Sequence, residues 1–210
     1  MKIALRKTSL VDYPGKIAAA IFFPGCNLRC PWCHNGDLVR GTAGGLIPLE
    51  EALGFVEKRK RILGALVLSG GEPTLYPDLG ALIGRLKKTG LPVKLDTNGM
   101  RPRVLEELFR TEHTRPDYIA MDLKLAPFRY AELLPAGGEA SSPGAAGEAL
   151  ERSAGLVRGS GIVHEFRSLA LPAPFFGPAD LEALRPLALS SPWHIRPFQR
   201  GNCLDPAWNS

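Results

Sequence analysis

The chain has 210 residues, 45% of them hydrophobic and 22% charged, an ordinary globular balance from which one well-buried domain over residues 1–210 is expected. No apolar run is long enough to cross a bilayer and the first residues lack a signal-like apolar core, which argues against membrane and exported classes and makes a cytoplasmic location the expectation. The net charge of +5 is mildly basic, but its densest run, Lys58-Arg59-Lys60-Arg61, lies on a predicted helix whose other face carries Leu53, Val56 and Leu63. Without interleaved aromatics it reads as a solvated face, not a nucleic-acid site.

Residues 17–23 form a short apolar run closed by Pro24-Gly25, a buried strand leading into a turn. Pro48 opens a helix with Leu49, Ala52, Leu53 and Val56 at helical spacing. A strand over 65–69 then stops at Gly70-Gly71-Glu72-Pro73. The alternation repeats with a helix over 77–88, a strand over 93–97, a helix over 102–110 and a strand over 118–123. Residues 136–147, rich in Gly, Ser and Pro, read as a flexible connection inside the domain. Beyond it come a helix over 148–157, a strand over 162–171, a helix over 178–187 and a last strand over 193–198. About six strands alternating with helices point to right-handed βαβ units and a parallel sheet. Six are too few for a closed eight-stranded barrel, so the expected fold is α/β, an incomplete (βα)6 parallel barrel. In parallel barrels the loops after the strands share one mouth, and the unusual residues all fall there.

Three of the four cysteines, Cys26, Cys30 and Cys33, crowd into the loop after the first of these strands. Clustered cysteines in a reducing compartment suggest metal or redox chemistry, and three thiolates leave a four-ligand site unfinished. Cys30-Pro31-Trp32-Cys33-His34 fits the C-x-x-C-H of attached haem, and Cys30 with Cys33 fits a dithiol redox pair, but neither uses Cys26. A zinc site completed by His34 would need adjacent Cys33 and His34 to turn back sharply onto one metal. That zinc site stays open beside another reading, an iron-sulfur cube with one open iron, able to hold and polarise a small molecule.

C-x-x-x-C-x-x-C after the first strand, followed by Gly-Gly-Glu-Pro after the second, resembles the radical S-adenosylmethionine enzymes. The resemblance implies that Cys26, Cys30 and Cys33 hold three irons of a [4Fe–4S] cluster and that S-adenosylmethionine chelates the fourth. It further implies that Gly70, Gly71 and Glu72 approach the methionine amino group and that Trp32 lies against the adenine. Leu95-Asp96-Thr97-Asn98-Gly99 and Met121-Asp122-Leu123-Lys124 are similar to segments of glycyl-radical-enzyme activases. There Lys124 would pair with the cofactor carboxylate, and Asp96, Thr97 and Asp122 would line the pocket, partly through a monovalent cation, since two carboxylates facing one pocket repel unless a cation intervenes. Thr97 and Asn98 read alternatively as caps of the following helix. Arg167 is a further candidate for the pocket. His164 and His194 are read as structural, and Cys203 is left unassigned.

Lys7 to Lys16 with Asp12-Tyr13-Pro14-Gly15, the Cys-Pro-Trp-Cys-His-Asn run and the tail from Phe198 to Pro206 look most like the compact anaerobic ribonucleoside-triphosphate reductase activating proteins. The implied reaction is one-electron cleavage of S-adenosylmethionine to methionine and a 5′-deoxyadenosyl radical, which takes a Cα hydrogen from a glycine of the reductase. The implied electron donor is flavodoxin- or ferredoxin-like. Alternatives are activation of another glycyl-radical enzyme, a small-molecule radical enzyme similar to 7-carboxy-7-deazaguanine synthase, and a non-catalytic zinc or electron-transfer module.

Overall fold

The computed structural model describes residues 1–135 and 144–209. Its strands are β1 (Lys2–Ser9), β2 (Ala18–Phe23), β3 (Ile47–Pro48), β4 (Ala65–Gly70), β5 (Val93–Thr97), β6 (Tyr118–Asp122), β7 (Val163–Ala170) and β8 (Trp193–Pro197). They form one sheet in the order β3-β1-β2-β4-β5-β6-β7-β8. From β2 through β8 every pairing is parallel, so the six strands expected from the sequence are present and make an incomplete parallel barrel. The helices are α1 (Gly36–Arg40), α2 (Leu49–Arg59), α3 (Leu79–Lys87), α4 (Pro102–Phe109), α5 (Ala145–Gly159) and α6 (Pro178–Ala188). Among the described residues no helix is long and apolar enough to cross a membrane.

Two strands were not expected. β1 runs antiparallel to β2, and the two-residue β3 pairs antiparallel with β1 at Lys2 and Ile3. With Arg6, Lys7 and Thr8 exposed in succession, the second half of β1 presents no apolar run. Pro48 precedes the first turn of α2 and does not lie within it. α5 starts at Ala145, so the last part of the expected connection is helical, and within it Gly147 packs its backbone against Pro127. The rest of that connection, residues 136–143, lies outside the described residues.

β2 and β4 read as continuous apolar runs because both of their faces are covered. Ile21, Phe23, Leu66, Leu68, Val93, Leu95, Ile119 and Met121 face the helices in one large core. The other face is lined near its base by small side chains, Ala18, Ala20, Ala65 and Val67, over which Tyr13 packs. The Tyr13 and Tyr118 rings lie 5.6 Å apart. Small residues leave a lumen, and the tyrosines close its floor. Above them the lumen becomes polar and opens at the carboxyl ends of the parallel strands.

Candidate functional site

A cavity of ≈ 470 Å³ occupies that mouth. Its wall includes Cys26, Cys30, Trp32 and Cys33 from the loop after β2, Gly70, Gly71 and Glu72 from the end of β4, Asp96 and Thr97 from β5, Asp122 and Lys124 from the end of β6, and Arg167 from β7. All twelve residues singled out in the sequence therefore line one cavity. The cysteine loop is anchored from within by buried Leu28 and Trp32. From outside it is tied by the Asn35 Nδ2 bond to Gly70 O (2.9 Å) and by Asn98, whose Nδ2 donates to Asn27 Oδ1 (2.8 Å) and approaches Cys26 Sγ (3.6 Å).

Gly70 and Gly71 serve a packing need of their own. Gly71 N donates to Phe23 O (2.8 Å) and Glu72 N to Gly25 O (2.9 Å), lacing the end of β4 onto the backbone that enters the cysteine loop. Gly70 adopts φ +118°, where a side chain is strained. Glu72 is buried, and its carboxylate is committed to the protein. Oε1 accepts from Thr74 N (3.1 Å), Thr74 Oγ1 (2.6 Å) and Thr97 Oγ1 (2.8 Å), and Oε2 accepts from Asn98 N (2.8 Å). Burial raises its pKa and these four bonds oppose the rise. Glu72 thus ties β4 to β5. Thr97, hydrogen-bonded to it, also accepts from Gly99 N (3.2 Å), and Asn98 Oδ1 accepts from Met100 N (3.0 Å). These bonds shape the turn after β5, but neither residue caps the following helix, whose N-cap is Arg101 and has no side-chain cap bond.

The carboxylates form one network with the lumen's cations. Asp96 Oδ1 accepts from Lys94 Nζ (2.7 Å) and Arg167 Nη1 (3.4 Å). Asp122 accepts from Arg167 Nε (2.9 Å) and Lys124 Nζ (3.0 Å). Arg167 thus stands between the two carboxylates, where the family resemblance suggested a monovalent cation. Burial pushes the Asp122 carboxyl up, but Arg167 and then Lys124 outweigh it and hold it down at about 2. Burial would lower the Lys124 pKa, yet the Asp122 carboxylate raises it well above the ordinary lysine range. Tyr130, fully buried, accepts from Lys124 N (2.8 Å) and fixes the backbone that carries this pair. Lys94 and Tyr130 were not singled out in the sequence. A mid-strand lysine ordinarily faces solvent, whereas Lys94 is inside the lumen and also donates to Asp12 O (2.9 Å).

Replacing Asp122 by Asn would leave Lys124 without its carboxylate partner and Arg167 with only the longer bond to Asp96. We expect Asp122→Asn to lower the unfolding free energy by about 1–2 kcal/mol, less than for a fully buried ion pair because Asp122 and Lys124 are partly open to the cavity. The folded pKa lies below the unfolded one, so the contribution is full above the ordinary aspartate range and disappears as pH falls toward about 2. Urea titrations between pH 5 and pH 2 should therefore show a wild-type loss of stability that the variant lacks in part. Parallel curves would refute the assignment.

The thiols are reduced and unpaired. Burial pushes Cys30 up to about 12 and also raises Cys26, so loading a metal must displace their protons. Among the described residues no three His, Cys, Asp or Glu side chains converge on a point fit for one metal ion. The zinc reading is not supported, because His34 is drawn to the tail, where it stacks on Phe198 (5.9 Å between rings) and bonds Gln199 O (2.8 Å). A cube asks for one thiolate per iron, and three thiols spread along one wall fit that donor set. Trp32 packs on Trp208 with ring centroids 5.3 Å apart, and Asp205 N donates to Pro31 O (2.9 Å), so the tail braces the cysteine loop from below. That role of Trp208 was not visible in the sequence.

Fold and site together define a partial-barrel iron-sulfur enzyme whose thiols face a charged strand-end mouth. The family model "Radical SAM superfamily" matches residues 20–140, and the chain belongs to that superfamily. Its cofactors are the [4Fe–4S] cluster and S-adenosylmethionine, and the donor set described above fits them. The chain is 41% identical over 127 residues to MJ1227 of Methanocaldococcus jannaschii, a protein named for glycyl-radical enzyme activation, covering 60% of this chain and 51% of that one. It is 39% identical over 90 residues to the 7-carboxy-7-deazaguanine synthase of Bacteroides thetaiotaomicron, covering 43% of this chain and 46% of that one. The chain thus spans about half the length of the curated relatives it matches. Methylornithine synthase (PylB) shares the fold with a TM-score of 0.60 at 14% identity, over 90% of this chain and 56% of that one.

Proposed function

We propose that the chain is an activase that generates a glycyl radical on a partner enzyme, with anaerobic ribonucleoside-triphosphate reductase as that partner. The observation that carries the reading is the convergence of Cys26, Cys30 and Cys33 with Asp122, Lys124 and Arg167 on one open-sided cavity. The likeness to MJ1227, longer than that to the deazaguanine synthase, supports activation over small-molecule chemistry. Bound at this wall, the cluster and S-adenosylmethionine supply reductive cleavage of a sulfonium and, through it, hydrogen abstraction.

The residues of the chain bind, orient and neutralise. Lys124, held charged by Asp122, presents an ammonium to the cofactor carboxylate. Arg167 keeps Asp96 and Asp122 from repelling each other, and Glu72 fixes the strand ends on which the pocket is built. A flavodoxin- or ferredoxin-like protein is the donor in this reading, and the setting is the reducing cytoplasm.

The test is anaerobic reconstitution, then dithionite and S-adenosylmethionine, with 5′-deoxyadenosine measured by chromatography and a glycyl doublet sought by electron spin resonance when the reductase is present. No deoxyadenosine would sink the radical reading. Deoxyadenosine without a doublet would sink the activase reading and favour a small-molecule substrate such as that of the deazaguanine synthase. Lys124→Ala should keep its iron and weaken S-adenosylmethionine binding by roughly tenfold, about the worth of one charge-assisted bond. Unchanged affinity by calorimetry would remove Lys124 from the carboxylate site.

A further inference from the structure

The lumen's charges are matched almost throughout. Arg6 of β1 meets Asp12 (3.3 Å), Lys94 meets Asp96, and Arg167 and Lys124 share Asp122. His194 of β8 lies 3.6 Å from Glu165 of β7. Arg196 is the exception. It lines the same cavity and is exposed, and among the described residues it is the cavity cation with no hydrogen bond or ion pair.

Its position explains what it can meet. β8 pairs with β7 in the register Arg167↔His194 and Leu169↔Arg196, which sets Arg196 one step nearer the mouth than Arg167, on the same face. β8 is also a terminal strand of the sheet, with no neighbour beyond it among the described residues. Arg6, across the opening on β1, lines the cavity too but already holds Asp12. The unclosed side of the barrel therefore has a free strand edge and one unmatched guanidinium beside it. A free edge accepts an extended peptide through its backbone, and a guanidinium fork matches a carboxylate.

Given the reading of the substrate as a polypeptide, we infer that Arg196 is a specificity-determining residue that receives an aspartate or glutamate of that polypeptide, flanking the residue that loses hydrogen. A small free acid has the same carboxylate, but it would leave the strand edge unused. The peptide is the occupant that uses both features.

The test measures binding, not turnover. The reconstituted 210-residue chain, held under argon without reductant, is titrated into a fluorescein-labelled, amidated heptapeptide with a central glycine flanked by glutamates. The same peptide with glutamines, and one with lysines, are run beside it. Anisotropy should show the glutamate peptide bound about fivefold tighter than the glutamine peptide, within the range of an exposed charge-assisted bond, with the preference shrinking as salt rises. Arg196→Gln should erase the preference, and Arg196→Glu should turn it toward the lysine peptide. Equal affinity for all three peptides, no binding of any, or a preference that survives Arg196→Gln would overturn the proposal. Binding of free glutarate by wild type, without discrimination between the glutamate and glutamine peptides, would overturn it in favour of a small-acid site. Because no bond is cleaved, a missing glycyl doublet in the activation assay would count against the activase reading without altering this result.

Discussion

Cys30→Ala should fold and yet hold no stable cluster. Cys30 is buried at the cavity wall and makes no bond that a neighbouring element depends on, so its loss should cost about 1 kcal/mol of stability, typical for a small buried substitution. Its chemistry has no substitute. His34 is engaged by Phe198 and Gln199, and Cys203 Sγ turns to Gly201 O (3.9 Å) and Trp208 O (3.8 Å), so among the described residues neither is poised to take the vacated iron. After anaerobic reconstitution the variant should lack the cluster's visible absorbance, retain only residual iron, and produce deoxyadenosine at the protein-free background. Cys203→Ala is the paired measurement, expected to keep full iron content. A Cys30→Ala protein with a wild-type spectrum, or a Cys203→Ala protein that has lost it, would mean that the ligand set is wrong.

β2 and β4 were legible because burial on both faces makes each a run of apolar residues, and β5 to β8 because turn residues and helical patterns bound them on either side. β1 was not, because half of its residues are exposed and its Arg6-Lys7-Thr8 run resembles an ordinary polar segment. The site followed the same division. Cys26, Gly71, Asp96, Asp122 and Lys124 stand at strand ends, where unusual residues betray themselves by type and position. Lys94 sits inside a strand, and only the curvature of the sheet shows that its face is a lumen. Trp208 and Phe198 lie about 165 or more residues from the cysteine loop they brace, a contact that no local pattern encodes. Glu72 shows the reverse limit. Its place beside the cysteines could be read from the motif, but its commitment to Thr74, Thr97 and Asn98 could not, since those partners come from two different strand ends.

Gly71→Ala should be the most damaging single methyl group in the chain's cofactor wall. A Cβ there would lie 1.8 Å from Gly25 O and 2.6 Å from Gly25 C, and a backbone carbonyl cannot rotate away as a side chain can. Either the end of β4 or the Pro24-Gly25-Cys26 entry must move, and the Gly71 N to Phe23 O and Glu72 N to Gly25 O bonds are lost with it. Overpacking costs about 1–3 kcal/mol, and two broken backbone bonds add about 1 kcal/mol each, so a loss of about 3 kcal/mol or more is expected in urea denaturation. Because the displaced segment carries Cys26, iron content after reconstitution should fall as well, even in the fraction that stays folded. Gly54→Ala is the contrasting case. Nothing lies within 4 Å of its Cβ and it sits inside α2, so that variant should gain up to about 1 kcal/mol from helix propensity and keep its iron. If Gly71→Ala unfolds at the wild-type urea midpoint with a full cluster, the lacing of β4 to the cysteine entry is not what shapes this wall.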